Sequence, residues 1–206
     1  MRIPIAVLLM ILGGMTFANA LTNGSWHIVS PFKDGTVPSG YPFDTGSASA
    51  EGMTGAVAVY FRAYGGNNYY GRNGAVLRRE ISPEVWLGKR ARLILRLKKE
   101  GQGKADLRVH IEKRNGVSIA VTPQKIDADD WQVRQVVLEV PEDAANFVVD
   151  LHLSGKGGVW IDSIALETVG EDVALTGSRR EDTNRFPPVP GPIVAPWNQN
   201  VRNADD

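Results

Sequence analysis

The sequence contains no cysteine, so neither disulfides nor thiolate chemistry is available to it. It has three histidines, His27, His110 and His152, and no H-E-x-x-H helix, P-loop or G-x-S-x-G elbow. An excess of charge of either sign is also missing, with 23 Lys and Arg against 23 Asp and Glu. Nucleic-acid binding normally shows as a basic stripe that displaces counterions from phosphates, and the balance here argues against it. Long apolar runs are lacking after the first twenty residues, which leaves no membrane-spanning segment beyond them.

The first twenty residues, MRIPIAVLLMILGGMTFANA, have a positive start at Arg2, an apolar stretch from Ile3 to Phe17 and an A-x-A pattern at Ala18 to Ala20. That is the pattern of a secretory signal cleaved before Leu21, and the apolar run is short of the ~20 residues of a spanning helix. The sequence therefore predicts an exported protein, periplasmic or extracellular. Three segments follow: a signal peptide over 1–20, one domain over 21–169, and a flexible, disordered tail over 170–206. The tail holds five prolines between Pro187 and Pro196, a composition that favours extended, solvated chain.

Within the domain, apolar and polar residues alternate with period two. Leu93, Leu95 and Leu97 oppose Arg92, Ile94 and Arg96; Leu107, Val109 and Ile111 oppose Arg108, His110 and Glu112; Phe147, Val149, Leu151 and Leu153 oppose Val148, Asp150 and His152. Further strands are predicted at 55–63, 75–81, 117–122, 131–140 and 159–167, with shorter ones near 26–29 and 41–43. Turn signals separate them, including KEGQGK at 99–104 and SGKGG at 154–158. The segment SPEVWL, Ser82 to Leu87, reads as one helical turn with Ser82 as N-cap and Pro83 at the first helical position. Regularly spaced short strands of this kind make an all-β, antiparallel β-sandwich of jelly-roll type.

Two stretches carry a resemblance to a known family. From Trp131 to Val169, WQVRQVVLEVPEDAANFVVDLHLSGKGGVWIDSIALETV resembles the last three strands of galactose-binding-like jelly rolls of the carbohydrate-binding-module type. From Gly74 to Lys98, GAVLRREISPEVWLGKRARLILRLK is similar to the same family's strand, short turn and long core strand. The resemblance implies a non-catalytic module that binds a carbohydrate or cell-envelope saccharide. It also implies a position for structural calcium at Asp162, in VWIDS. LTNGSWH, Leu21 to His27, supplies no carboxylate to complete such a site, and Ca²⁺ takes six to eight oxygen ligands. No cofactor is expected. An envelope protein recruited by the tail is the alternative partner, and a glycan-active enzyme is a third reading.

Two surfaces are candidates for ligand contact. The loop RAYGGNNYYGRNGA, Arg62 to Ala75, presents Tyr64, Tyr69 and Tyr70 for stacking, with Asn67, Asn68 and Arg72 to hydrogen-bond. Its glycines and asparagines are explained by turn formation, and the tyrosines either contact a ligand or fold back onto the sandwich. The second surface is the outward face of the strands, with Arg92, Arg96, Arg108, His110, Glu112, Asp150 and His152. Glu112 and Asp150 have basic or imidazole neighbours, which favours ion pairing over the opposed carboxylates of a glycanase. His110 and His152 matter as a pair only if their strands are neighbours. Asp127, Asp129 and Asp130 leave an EF-hand pattern incomplete and read as a turn. Trp86, Trp131 and Trp160 read as core or edge packing.

Overall fold

The alternating runs fold into two antiparallel sheets that face each other across the apolar side of every strand. The computed structural model describes residues 26–29, 43–54, 58–63, 75–177 and 179–182. Twelve strands follow in chain order: β1 (His27–Val29), β2 (Phe43–Ala48), β3 (Ala58–Ala63), β4 (Ala75–Ile81), β5 (Arg90–Glu100), β6 (Lys104–Lys113), β7 (Ser118–Val121), β8 (Gln124–Ile126), β9 (Gln132–Glu139), β10 (Ala144–Ser154), β11 (Gly157–Val169) and β12 (Arg179–Asp182). The first sheet has the order β1-β4-β10-β6-β7-β12, with β8 also pairing with β6. The second has the order β2-β3-β11-β5-β9. This is the expected β-sandwich. The sequence-late strands β10 and β11 lie inside the two sheets, each between earlier strands.

Leu93, Leu95 and Leu97 of β5 face Leu107, Val109 and Ile111 of β6 and Phe147, Val149 and Leu151 of β10 in one buried cluster, completed by Phe61, Val159 and Ile161. Non-directional burial of these side chains is the main stabilising term, at roughly 25 cal/mol per Å² of apolar surface. One charged residue shares the inner face. In β4 the run LRRE places two arginines side by side, and because side chains alternate, one of them must point inward. Arg79 pairs with Val149 in register, is 3% exposed, and lays its guanidinium near the Trp26 ring, 5.8 Å from the centroid. Its Nη1 has no hydrogen-bond partner among the described residues. Burial holds its pKa down at about 10, because removal from water disfavours the charged form.

Several local expectations are revised. The turn after β4 is a single 3-10 turn, Glu84–Trp86, without a side-chain cap from Ser82. Its start is closed by Trp86 N donating to Pro83 O, 2.8 Å. The short strand expected near 41–43 runs from Phe43 to Ala48. The chain also stays with the domain past Val169. Thr176 N donates to Val137 O at 2.9 Å, the Thr176 hydroxyl accepts from Val137 N at 2.9 Å, and Arg90 donates to the carbonyls of Glu171 and Val173. β12 then pairs with β7. The first part of the expected tail is thus an edge of the first sheet; the rest, like the signal segment 1–20, lies outside the described residues.

Candidate functional site

Pairing registers decide which polar side chains meet. On the outer face of the first sheet, Asp150 of β10 lies opposite Arg78 of β4 on one side and Arg108 of β6 on the other. Arg78 binds it in the bidentate manner, Nε to Oδ1 at 2.8 Å and Nη2 to Oδ2 at 2.8 Å. His110 stands on the far side, with Nδ1 4.0 Å from Asp150 Oδ2 and Nε2 3.6 Å from Glu112 Oε1. Asn146 donates to the other Glu112 oxygen at 3.2 Å. The result is a continuous polar row, Arg78, Asp150, His110, Glu112 and Asn146, across three strands. Arg78, Asp150 and His110 are only 6%, 4% and 7% exposed, although they stand on the outer face.

The electrostatics of the row follow from its packing. Desolvation pulls the Arg78 guanidinium down, but the hydrogen bonds and charge of Asp150, with Glu112 and Glu80 behind them, leave it above its ordinary value. The His110 imidazole holds the Glu112 carboxyl below the usual carboxylate value, against desolvation and with help from Asn146 and Arg78. His152, opposite Asp106 in register, is pushed down by desolvation first and by Arg108 second, with Asp150 and Asp106 opposing. The histidine strands are neighbours. Asp150 and Arg108 occupy the register position between the two rings, so the imidazoles are separated by one rung and do not face each other.

The sequence-predicted outward surface is two surfaces. Arg108, His110, Glu112, Asp150 and His152 belong to the first sheet, while Arg92 and Arg96 lie on β5 in the second sheet. Arg92 pairs there with Glu167. Period-two alternation tells which residues face outward but not to which sheet a strand is assigned. The partner of Asp150 is likewise Arg78, whereas Arg108 makes only a 3.9 Å contact with Asp106. The V-x-R-x-E alternation of Val76, Arg78 and Glu80 carried the signal that could have found it. Tyr64, Asn67, Asn68, Tyr69, Tyr70 and Arg72 lie outside the described residues.

The outer face of the second sheet is aromatic and cationic. Trp160, read from sequence as core or edge packing, is on this face, opposite Tyr60 on β3 and Lys98 on β5. It is nonetheless 5% exposed, because Arg62 covers it, with the guanidinium carbon 4.8 Å from the Trp160 centroid and 4.7 Å from the Tyr60 centroid. Trp131 is covered by Arg96, at 4.8 Å, and by Lys98, at 5.2 Å. A bulge between Ile161 and Ser163 displaces Asp162 from the ladder. Its carboxylate accepts from Thr54 N at 3.0 Å, Thr54 Oγ1 at 2.6 Å and Arg96 Nη1 at 2.5 Å. Arg96 is thus the cationic partner of Asp162 among the described residues. No group of three or more His, Asp or Glu side chains placed to hold a metal lies among the described residues. Asp127 and Asp129 contact Arg134 and Lys99 instead.

No family model matches the chain. A curated relative, the uncharacterized HTH-type transcriptional regulator YbfP of Bacillus subtilis, is 29% identical over 107 residues, which cover 50% of this chain and 36% of that one. Among solved structures, the C-terminal family 22 carbohydrate binding module of Clostridium thermocellum Xyn10B superposes with a TM-score of 0.50 at 13% identity, over 76% of this chain and 92% of the module. The CBM22-1 xylan-binding domain of Paenibacillus barcinonensis Xyn10C gives 0.47 at 13% identity, over 72% and 90%. The chain has the β-sandwich fold of carbohydrate-binding-module jelly rolls.

Proposed function

We propose that this protein is an exported, non-catalytic module that binds a glycan across the outer face of its first sheet. The desolvated Arg78–Asp150 pair carries the reading. Removing two charges from water costs several kcal/mol per ion, and an apolar pair of similar volume is often as stable or more so. Stability alone gives little reason to place such a pair on a sheet face that polar, solvated residues would serve. Held in place by that buried pair, Glu112 and Asn146 at the more exposed end of the row offer a fixed acceptor and donor of the kind that orient a polyhydroxylated ligand.

The same row argues against glycoside hydrolysis. That chemistry needs one carboxyl raised to donate a proton and a second ionised opposite it. Glu112 is held down, and Asp150 is locked by Arg78. Export rests on the signal segment 1–20; no helix among the described residues is long and apolar enough to cross a membrane.

The test is a glycan array and calorimetric titration with the mature chain and with Arg78→Met/Asp150→Leu, which removes the charges while keeping volume. Binding by the parent and its loss, tenfold or more, in a variant that melts normally is the expected result. A silent array, with an envelope protein recovered by the parent and the variant alike, would overturn it in favour of a protein-interaction module.

A further inference from the structure

Arg62 is fixed in place yet uses none of its hydrogen-bonding capacity. Its contacts are the two ring faces of Tyr60 and Trp160, and it has no ion pair or hydrogen bond among the described residues. A guanidinium carries five N–H donors in a planar fork suited to a carboxylate, so holding the plane by stacking leaves that fork free. Arg62 lines a cavity of about 500 Å³ at the end of the second sheet, with Glu100, Gln102, Lys156, Gly157 and Gly158. That volume is within the ~300–1,000 Å³ of small-ligand sites. The cavity is distinct from the polar row, which belongs to the other sheet.

Its charge is asymmetric. Glu100 is the one carboxylate of the lining, and one of its oxygens already accepts from Trp160 Nε1 at 2.7 Å. Among the described residues no ion pair joins Arg62 or the exposed Lys156 to a carboxylate, and Asp44 stands opposite Arg62 in register. The floor is bare because it must be. Gly157 has φ of 152°, and a Cβ there would lie 2.4 Å from the Glu100 carbonyl oxygen, while one on Gly158 would lie 3.2 Å from the Arg62 side chain. A ligand ring can therefore approach the backbone closely beside Arg62 and Lys156.

We propose that this cavity is a charge-selective subsite that takes the carboxylate of an acidic saccharide, a uronic acid residue, on Arg62, with Lys156 as the second cation. The inference rests on the glycan-binding reading and sharpens it to a substrate class. Calorimetric titration with oligogalacturonate and with its methyl ester separates the two claims, since the sugar rings are the same and only the carboxylate charge differs.

The parent should prefer the free acid by about tenfold or more, the range of one charge-assisted hydrogen-bonding partner. Arg62→Gln should bring acid and ester to equal affinity, and Lys156→Gln, an exposed change with no bearing on folding, should narrow the gap. Arg78→Met/Asp150→Leu should keep the preference in whatever binding remains. Equal affinity for acid and ester in the parent, or an unchanged preference in both cavity variants, overturns the subsite and leaves the glycan reading standing. Absence of binding to any acidic or neutral saccharide overturns both. Competition by pentaglutamate as strong as by oligogalacturonate overturns the saccharide assignment in favour of an acidic peptide.

Discussion

The guanidinium of Arg79 meets the indole of Trp26 on the inner face of the first sheet, 5.8 Å from the ring centroid, with one nitrogen left without a hydrogen-bond partner among the described residues. Cation–π attraction of roughly 2 kcal/mol in a desolvated setting offsets only part of the cost of burying a charge. Arg79→Met keeps most of the volume and removes the charge, and it should stabilise the fold by about 1–3 kcal/mol, read as a higher melting temperature. The pH dependence of the parent has a fixed sign. A cation whose pKa falls from its ordinary value to about 10 on folding binds fewer protons in the native state between the two values, so its contribution to stability improves as pH rises through that window. A lower melting temperature for Arg79→Met would show that the arginine supports the fold in a way its contacts do not reveal.

Breaking the outer pair should differ from replacing it. Asp150→Ala leaves Arg78 desolvated without its partner and is expected to cost about 3–5 kcal/mol, whereas Arg78→Met/Asp150→Leu should be near neutral. Urea denaturation of the two proteins measures both. Equal losses would mean that the ion pair is itself a main source of stability.

Acidification should weaken the fold in two stages. His152 has a folded pKa below its ordinary 6.5, so the unfolded chain gains a proton first and stability falls as pH drops below about 6.5. Glu112 has a folded value below 4.5; its contribution is complete above 4.5 and is lost as pH drops from there through the lower folded value. Melting curves from pH 7.5 to 3 should show both stages. His152→Gln should flatten the upper one and Glu112→Gln the lower one, and a profile unaltered by either change would sink the assignment.

Asp162 is engaged by Arg96 and Thr54. Chelation with EDTA should leave the melting temperature unchanged, because a saturating structural ion would add several kcal/mol. Arg96→Met should lower stability by about 1–3 kcal/mol, the cost of an unpaired buried carboxylate. A large drop on chelation of the parent would place an ion where the guanidinium stands.

What could be read from sequence was whatever alternation alone determines. Leu93, Leu95 and Leu97, or Phe147, Val149 and Leu151, have one possible side to face once a core exists, so β5, β6 and β10 were legible. Gln124–Ile126 and Arg179–Asp182 were not, because QKI and RRED owe their extended form to the ladders of β6 and β7 beside them and not to a pattern of their own. The same limit applies to the sites. Arg92 and Arg108 look equivalent along the chain, yet they stand on different sheets, since pairing partners are set by topology. Trp160 sits in an apolar run, VWI, that reads as wholly internal. It is buried from outside, by Arg62 and Lys98, and no periodicity distinguishes burial under cations from burial in a core.

Neither sheet is continuous until β10 and β11, consecutive strands in opposite layers, are in place. β10 joins β4 to β6, and β11 joins β3 to β5, so residues 144–169 supply the middle of both layers and contacts of long sequence separation. Chains dominated by such pairings fold slowly, and a growing chain that lacks these two strands has two incomplete sheets with open edges. For a polypeptide delivered in extended form, that ordering is useful. The inner edges of β3, β4, β5 and β6, which would otherwise attract neighbouring chains, are covered in one late step, when the last third of the chain joins them.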